Sequence, residues 1–256
     1  MGHPTPPAWY VISLRPQGGH DALRRAARRH GAGLLAMSPW RIQRCDDSAT
    51  RADLRDALAC PTVVFTSPAA VSAAHALHPL EAQSGQSWLA VGSGTAAALR
   101  RAGIGHVSFP ARMDSEGLLA LPALTDVRGT DVGFVTAPDG RNLLIPTLES
   151  RGARLHRAEV YRREPVALTP RARAALAGLH APACLLVSSG GALEQLLAQL
   201  PGALLARLRG TTVVAASARL ADAARDAGFT RVLQAAGPRP AQMVMTACSA
   251  MLPGIR

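Results

Sequence analysis

Hydroxyl-bearing turns follow short apolar runs at four places in the sequence. They are Phe65-Thr66-Ser67-Pro68, Gly92-Ser93-Gly94-Thr95, Ser188-Ser189-Gly190-Gly191 and Ala216-Ser217-Ala218. A serine directly before a proline fits a helix N-cap with proline at the first helical position. Ser67 and Pro68 can therefore simply cap a helix. They can equally leave an open helix amino terminus whose backbone N–H groups receive an anion, and the two roles are compatible. Glycines in the partner turns, Gly190 and Gly191 among them, allow close backbone approach. Asp139-Gly140-Arg141 adds a turn dipeptide at the start of another helical pattern. Tyr161, in EVYRRE at 159–164, is one of only two tyrosines. A neutral phenol can donate a proton or hydrogen bond to a leaving hydroxyl; its other reading is an ordinary packed strand aromatic.

Several kinds of chemistry lack their residues. There is no GxSxG elbow, no HExxH, no CxxC and no His/Cys/Asp cluster at metal-ligand spacing. Gly92-Ser93-Gly94-Thr95 lacks the Lys of a phosphate loop and the spacing of a dinucleotide fingerprint. Histidines at 20, 30, 75, 78, 106, 156 and 180 read as structural or solvated, and His3 lies in a tail. Ser115, before LLALPAL at 118–124, reads as a helix cap. Cys45, Cys60, Cys184 and Cys248 are scattered, and a chain able to build an ordinary core has no need of a disulfide framework. Reduced, mostly buried thiols are expected.

The elements that must hold these turns alternate in type. Tyr10–Leu14, Thr62–Thr66 and Leu89–Val91 read as strands. Gly19–His30, Ala69–Leu77 and Thr95–Ala102 read as the helices after them, two of them closed by Gly31 and Gly103. Strand, polar turn, helix and glycine in that order indicate βα units and a mainly parallel sheet. The series then returns. Residues 137–155 echo 15–34, residues 185–193 echo 63–71, and residues 213–228 echo 89–103. Pro16 and Pro138 are 122 residues apart, as are Ser67 and Ser189, while Gly103 and Gly228 are 125 apart. Duplication into two α/β domains of ordinary size follows, with ligands expected beyond the carboxyl ends of the strands.

A hydrophobic share of 48% against 18% charged residues suits a packed core and argues against disorder. The formal charge of +11 favours anionic partners. Every basic residue is arginine, which suits bidentate carboxylate contacts but also follows from a GC-rich coding bias. The arginines are dispersed and no aromatic stacking platform accompanies them, so nucleic acid is not an expected partner. No run reaches the roughly 18–20 apolar residues of a membrane helix, and the amino terminus does not look like a leader, so a cytoplasmic protein is expected.

The ordered segments LRP (14–16), VFTSPAAV (64–71), AVGSGTAAAL (90–99), DSEGLLALPAL (114–124), DGRNLLIPTLESRGA (139–153) and EVYRRE (159–164) together resemble the uroporphyrinogen-III synthase family along essentially the whole chain. The resemblance implies an α/β fold. Its two flavodoxin-like three-layer α/β/α lobes have mainly parallel sheets and are joined by a two-stranded β ladder. It implies a continuous domain at 40–160 and a discontinuous one at 1–39 plus 165–256, with crossings near 37–44 and 156–165. The active site is expected in the inter-domain cleft.

On the same resemblance, Tyr161 is the catalytic residue. The family's strand-end hydroxyls and small residues fall on Ser67, Ser93, Gly94, Thr95, Ser189 and Ser217; Pro68, Gly92, Gly140, Ser188 and Gly190 of the turns described above are expected to bind substrate with them, and Arg15 and Arg141 are candidate carboxylate contacts. Many relatives carry G-x-x-T-A in the final βα turn, where this chain has Ala216-Ser217-Ala218-Arg219-Leu220, so the role of Ser217 stays open. The implied reaction cyclises hydroxymethylbilane, an anionic linear tetrapyrrole, to uroporphyrinogen III with loss of water and inversion of ring D. It needs no cofactor, metal or covalent nucleophile. A monomer is expected, touching the preceding enzyme, hydroxymethylbilane synthase, only transiently. The competing reading is a non-catalytic bilobed small-molecule binding or sensor protein.

Overall fold

The computed structural model describes residues 7–112, 115–138 and 144–252. The chain divides into two compact units, Met1–Arg41 with Glu164–Arg256, and Ile42–Arg163. In chain order the elements begin β1 (Trp9–Ser13), α1 (Asp21–Arg29), β2 (Ala32–Ala36), β3 (Trp40–Arg44), α2 (Ser48–Ala59), β4 (Thr62–Phe65), α3 (Pro68–Leu77), β5 (Ser87–Ala90) and α4 (Ser93–Arg101). They continue with α5 (Ser115–Leu119), α6 (Pro122–Thr125), β6 (Asp131–Thr136), α7 (Leu144–Ser150), β7 (Arg154–Glu159) and β8 (Tyr161–Pro165). The last are α8 (Pro170–Ala177), β9 (Ala183–Val187), α9 (Gly190–Leu197), α10 (Gly202–Arg209), β10 (Thr212–Ala215), α11 (Ala218–Asp226), β11 (Val232–Gln234) and α12 (Pro240–Met251).

The discontinuous unit holds a five-stranded parallel sheet in the order β11-β10-β9-β1-β2, and the continuous unit a four-stranded parallel sheet in the order β5-β4-β6-β7. The unit boundaries fall inside β3 and β8, which pair as a separate two-stranded sheet. Cys45 N–H donates to Val160 O and Val166 N–H to Pro39 O, the reversed register of an antiparallel pair.

Central strands buried on both faces explain why the apolar runs lack alternation. Every residue of β4, β9 and β10 is buried. Their side chains still alternate between two cores. In the continuous unit Val63 and Phe65 point into a cluster with Leu54 and Ala57 of α2, Ala70 of α3 and Leu99 of α4. Val64 points the other way, with Phe134, toward Leu118 of α5, Leu124 of α6 and Leu148 of α7. The discontinuous unit does the same. Ile12, Leu185 and Val213 meet α8, α9, α10 and α11, whereas Val11, Cys184 and Val214 meet α1 and α12. Each unit is thus a helix–sheet–helix sandwich, and each buried Val, Leu or Phe contributes roughly 1.5–3 kcal/mol. Gly133 in β6 is required by packing: a Cβ there would strike the Ala57 carbonyl of α2.

The internal repeat is visible in the register. Trp9 pairs with Ala32, and 122 residues on Asp131 pairs with Arg154. An isolated parallel bridge joins Leu89 to Ser108, and 124 residues on Val213 pairs with Val232. The first copy gives β1-α1-β2 to the discontinuous unit and β4-α3-β5-α4 to the continuous one. The second copy gives β6-α7-β7 to the continuous unit and β9-α9-β10-α11-β11 to the discontinuous one.

Two local expectations are revised. Ser115 is the first residue of α5, inside a helix that ends at Leu119. The helical pattern at 118–124 is broken, because Pro122 lacks an N–H and disfavours helical backbone at Leu121, so a second short helix starts there. β7 ends at Glu159, and the ladder strand begins at Tyr161. All four cysteines are unpaired, two of them buried. Burial pushes the Cys60 thiol up to about 11 and the Cys184 thiol up to about 12, which suppresses the reactive thiolate.

Candidate active site

In the continuous unit the candidate groups gather at the carboxyl edge of the sheet. The chain leaves β4 through Thr66 and Ser67, whose extended backbone lets the serine oxygen turn back onto α3. Ser67 Oγ accepts the Ala70 N–H at 3.0 Å, and Pro68 occupies the first helical position, where its missing N–H costs nothing. Tyr161 Oη lies 2.9 Å from the same Oγ.

The Tyr161 ring is only 2% exposed and belongs to the cluster containing Phe65, Ala70, Val135 and Val160. Its backbone is held beside the sheet because the neighbouring Val160 donates to Thr136 O at 3.2 Å. One strand over, the Thr66 hydroxyl donates to Thr136 Oγ1 at 3.0 Å, so two further buried hydroxyls underlie the pair.

Two hydroxyl protons belong to Ser67 and Tyr161, and one suffices for the bond between them. Ser67 already accepts from the backbone. If it donates to the phenol, the Tyr161 proton is available to a ligand; if the phenol donates, the Ser67 proton is. Either way the pair offers one O–H, and half-buried Ser67 is its more open end.

The β5–α4 turn lies alongside. A Cβ added to Gly94 would sit 3.8 Å from Pro68 Cγ, an ordinary contact that makes the two turns neighbours. Gly92 is the N-cap of α4 and has no side chain with which to cap it. Ser93 and Gly94 open the helix, and Thr95 is buried within its first turn. First-turn N–H groups of a helix have no partner within the helix and suit an anion in general.

The discontinuous unit presents a parallel arrangement at the same edge of its own sheet. Ser189 caps α9 through Ala192 N and Ser217 caps α11 through Leu220 N, each at 3.4 Å. Ser188 is exposed, and Gly190 lies within 3.8 Å, measured from an added Cβ, of Leu220 at the start of α11. Arg15 follows β1; it is half-buried, and burial lowers its guanidinium from the ordinary value.

A profile of the family described as uroporphyrinogen-III synthase HemD matches residues 21–245. The chain belongs to the uroporphyrinogen-III synthase family.

Solved structures of that description share the fold. Uroporphyrinogen-III synthetase from Helicobacter pylori is 16% identical, with a TM-score of 0.63 over 94% of this chain and 98% of that one. A mutant uroporphyrinogen III synthase from the extremely thermophilic bacterium Thermus thermophilus is 20% identical, with a TM-score of 0.58 over 94% and 98%. Membership makes the chain an enzyme of haem biosynthesis, and its substrate a tetrapyrrole. Among the described residues no helix is long and apolar enough to cross a membrane.

Within this synthase fold the structure brings Ser67, Pro68, Gly92, Ser93, Gly94, Thr95 and Tyr161 together in one unit. It brings Arg15, Ser188, Ser189, Gly190 and Ser217 to the corresponding edge of the other. Gly140 and Arg141 lie outside the described residues. Sequence reading missed the Thr66–Thr136 hydroxyl pair and a Ser13–His20–Ser38 array in which Ser13 and His20 are buried and Ser38 half-buried. Thr66 carried a signal, since it precedes Ser67 at a strand end. Nothing in the spacing of Ser13, His20 and Ser38 marked them as partners.

Proposed function

We propose that the chain converts hydroxymethylbilane into uroporphyrinogen III, with the Ser67–Tyr161 hydroxyl pair assisting the departure of water. The observation that carries this reading is the 2.9 Å bond between the two oxygens at the open end of β4. The substrate supplies most of the driving force, because an electron-rich pyrrole expels its own hydroxymethyl oxygen. As that C–O bond breaks, the pair's available O–H gives the proton that completes water. The azafulvene so formed is attacked by the substituted carbon of the last pyrrole. The spirocyclic intermediate fragments and recloses with that ring inverted, and the proton released on rearomatisation restores the pair.

Shape control is the other task. The bilane carries carboxylates along its length, and it closes without inversion when free. The amino terminus of α4, where Gly92 has no side chain to cap it, and the capped ends of α3, α9 and α11 offer main-chain donors, with Arg15 as a cationic contact. Arg141 is proposed in the same capacity, and Gly140 as a main-chain contact. Holding the chain bent converts an improbable closure into the favoured one. We take the enzyme to act as a monomer in the cytoplasm, meeting hydroxymethylbilane synthase transiently. In support, only Leu233 and Met245 are exposed large apolar residues among those described, and no cysteine is paired.

The test is to incubate purified protein with fresh hydroxymethylbilane and separate the isomers. Type III product is expected; type I product alone, at the spontaneous rate, would refute the assignment.

A further inference from the structure

A histidine bridges two serines behind the candidate arginine of the discontinuous unit. Ser13 is the last residue of β1 and fully buried; its Oγ lies 2.9 Å from His20 Nδ1. His20 Nε2 lies 2.8 Å from Ser38 Oγ, just beyond β2. His20 itself is 7% exposed. Ser13 Oγ also accepts the backbone N–H of Arg15 at 3.4 Å.

The array thus ties together the end of β1, the start of α1, the segment after β2 and the turn that carries Arg15. Two backbone bonds close the same turn, from Gly19 to Pro16 O and from Gln17 to Trp40 O. A neutral imidazole has one donor and one acceptor nitrogen, which matches a hydroxyl on either side. Burial, then Arg24, then Arg15 disfavour its charged form, and Asp21 favours it weakly by comparison.

We propose that His20 is a positioning residue: by bridging Ser13 and Ser38, it fixes the β1–α1 turn so that Arg15 meets a substrate carboxylate. This rests on the reading of Arg15 as a carboxylate contact. A guanidinium recognises a carboxylate through two parallel N–H bonds, so misplacing its backbone weakens binding without touching the groups that move protons.

The experiment measures KM and kcat for hydroxymethylbilane in His20→Ala, His20→Gln, Arg15→Ala and the double variant His20→Ala/Arg15→Ala, with thermal melts of each. His20→Ala is expected to raise KM about tenfold, the effect of one weakened charge-assisted contact, and to leave kcat within about twofold. The Gln amide, which offers both N–H donors and a carbonyl acceptor, restores most of the loss. In the Arg15→Ala background the His20 change adds nothing further. An unchanged KM in His20→Ala would overturn the inference. So would a KM effect of equal size with and without Arg15, or a fall in kcat alone. Should His20→Ala not fold, the Ser38→Ala enzyme carries the same test, because it breaks one side of the bridge while leaving the packing nearly intact. An Arg15→Ala enzyme with normal KM would instead refute the carboxylate reading of Arg15, and the inference with it.

Discussion

The oxygens of Ser67 and Tyr161 lie 2.9 Å apart although 94 residues separate them in the chain. Ser67 follows β4 as the N-cap of α3, and Tyr161 opens β8. The bond therefore joins a strand end that the sheet fixes to a ladder strand at the carboxyl-terminal end of the continuous unit.

Ser67 caps α3 and also meets Tyr161, whereas its repeat counterpart Ser189 caps α9, so the two serines distinguish capping from the proposed catalytic role. Ser67→Ala is expected to cost about 1 kcal/mol of stability through the lost cap and to slow turnover through loss of the phenol's partner. Ser189→Ala removes only a longer cap bond, 3.4 Å against 3.0 Å. Urea unfolding of both variants should show loss of stability in each, smaller for Ser189→Ala. Single-turnover rates should fall clearly more for Ser67→Ala.

Gly133 marks where β6 and α2 approach too closely for any side chain. Since a Cβ would strike a backbone carbonyl, and no rotamer can move away from it, Gly133→Ala is expected to cost about 3 kcal/mol. Denaturant unfolding provides the measurement. A variant as stable as the parent would mean that α2 shifts freely.

Asp131, at the other edge of the same sheet, accepts a fork from Arg154 at 3.0 and 2.7 Å and a bond from His156 at 2.9 Å. Arg154 first, then His156, holds its carboxyl well below the ordinary carboxylate range. A depressed folded pKa stabilises at pH values above the unfolded one, about 3.9, and the benefit is lost as pH falls through the folded value. The stability difference between parent and Asp131→Asn should therefore be widest above about pH 5. It should close in strong acid and shrink with added salt, because the group is partly exposed. Melts from pH 2 to 7 at two ionic strengths would show it.

Central strands and caps were legible before any coordinates. Val63, Val64, Leu185 and Val213 stand in short runs too continuous for a half-exposed strand, and Ser67 before Pro68 announces its helix. Edge elements were not. In β11 Val232 is half-buried and Leu233 and Gln234 are exposed, so no apolar run marks them. The site divides along the same line. Turn residues reveal themselves through local chemistry, one residue before a helix. The partnership of Tyr161 with Ser67, of Thr66 with Thr136, and of His20 with two serines arises from strand order, which one-dimensional spacing does not encode. His20 reads as structural or solvated from its place on a helical pattern, and a seven-residue gap to Ser13 matches no motif.

The most direct measurement is a rapid-quench single turnover of hydroxymethylbilane by saturating enzyme, parent against Tyr161→Phe, with the isomers separated. If the hydroxyl pair delivers the proton while main-chain donors set the ring's geometry, the Phe enzyme closes the bilane about 10–100-fold more slowly and still makes type III product. A Phe enzyme with the parent's rate on bound substrate would contradict the account.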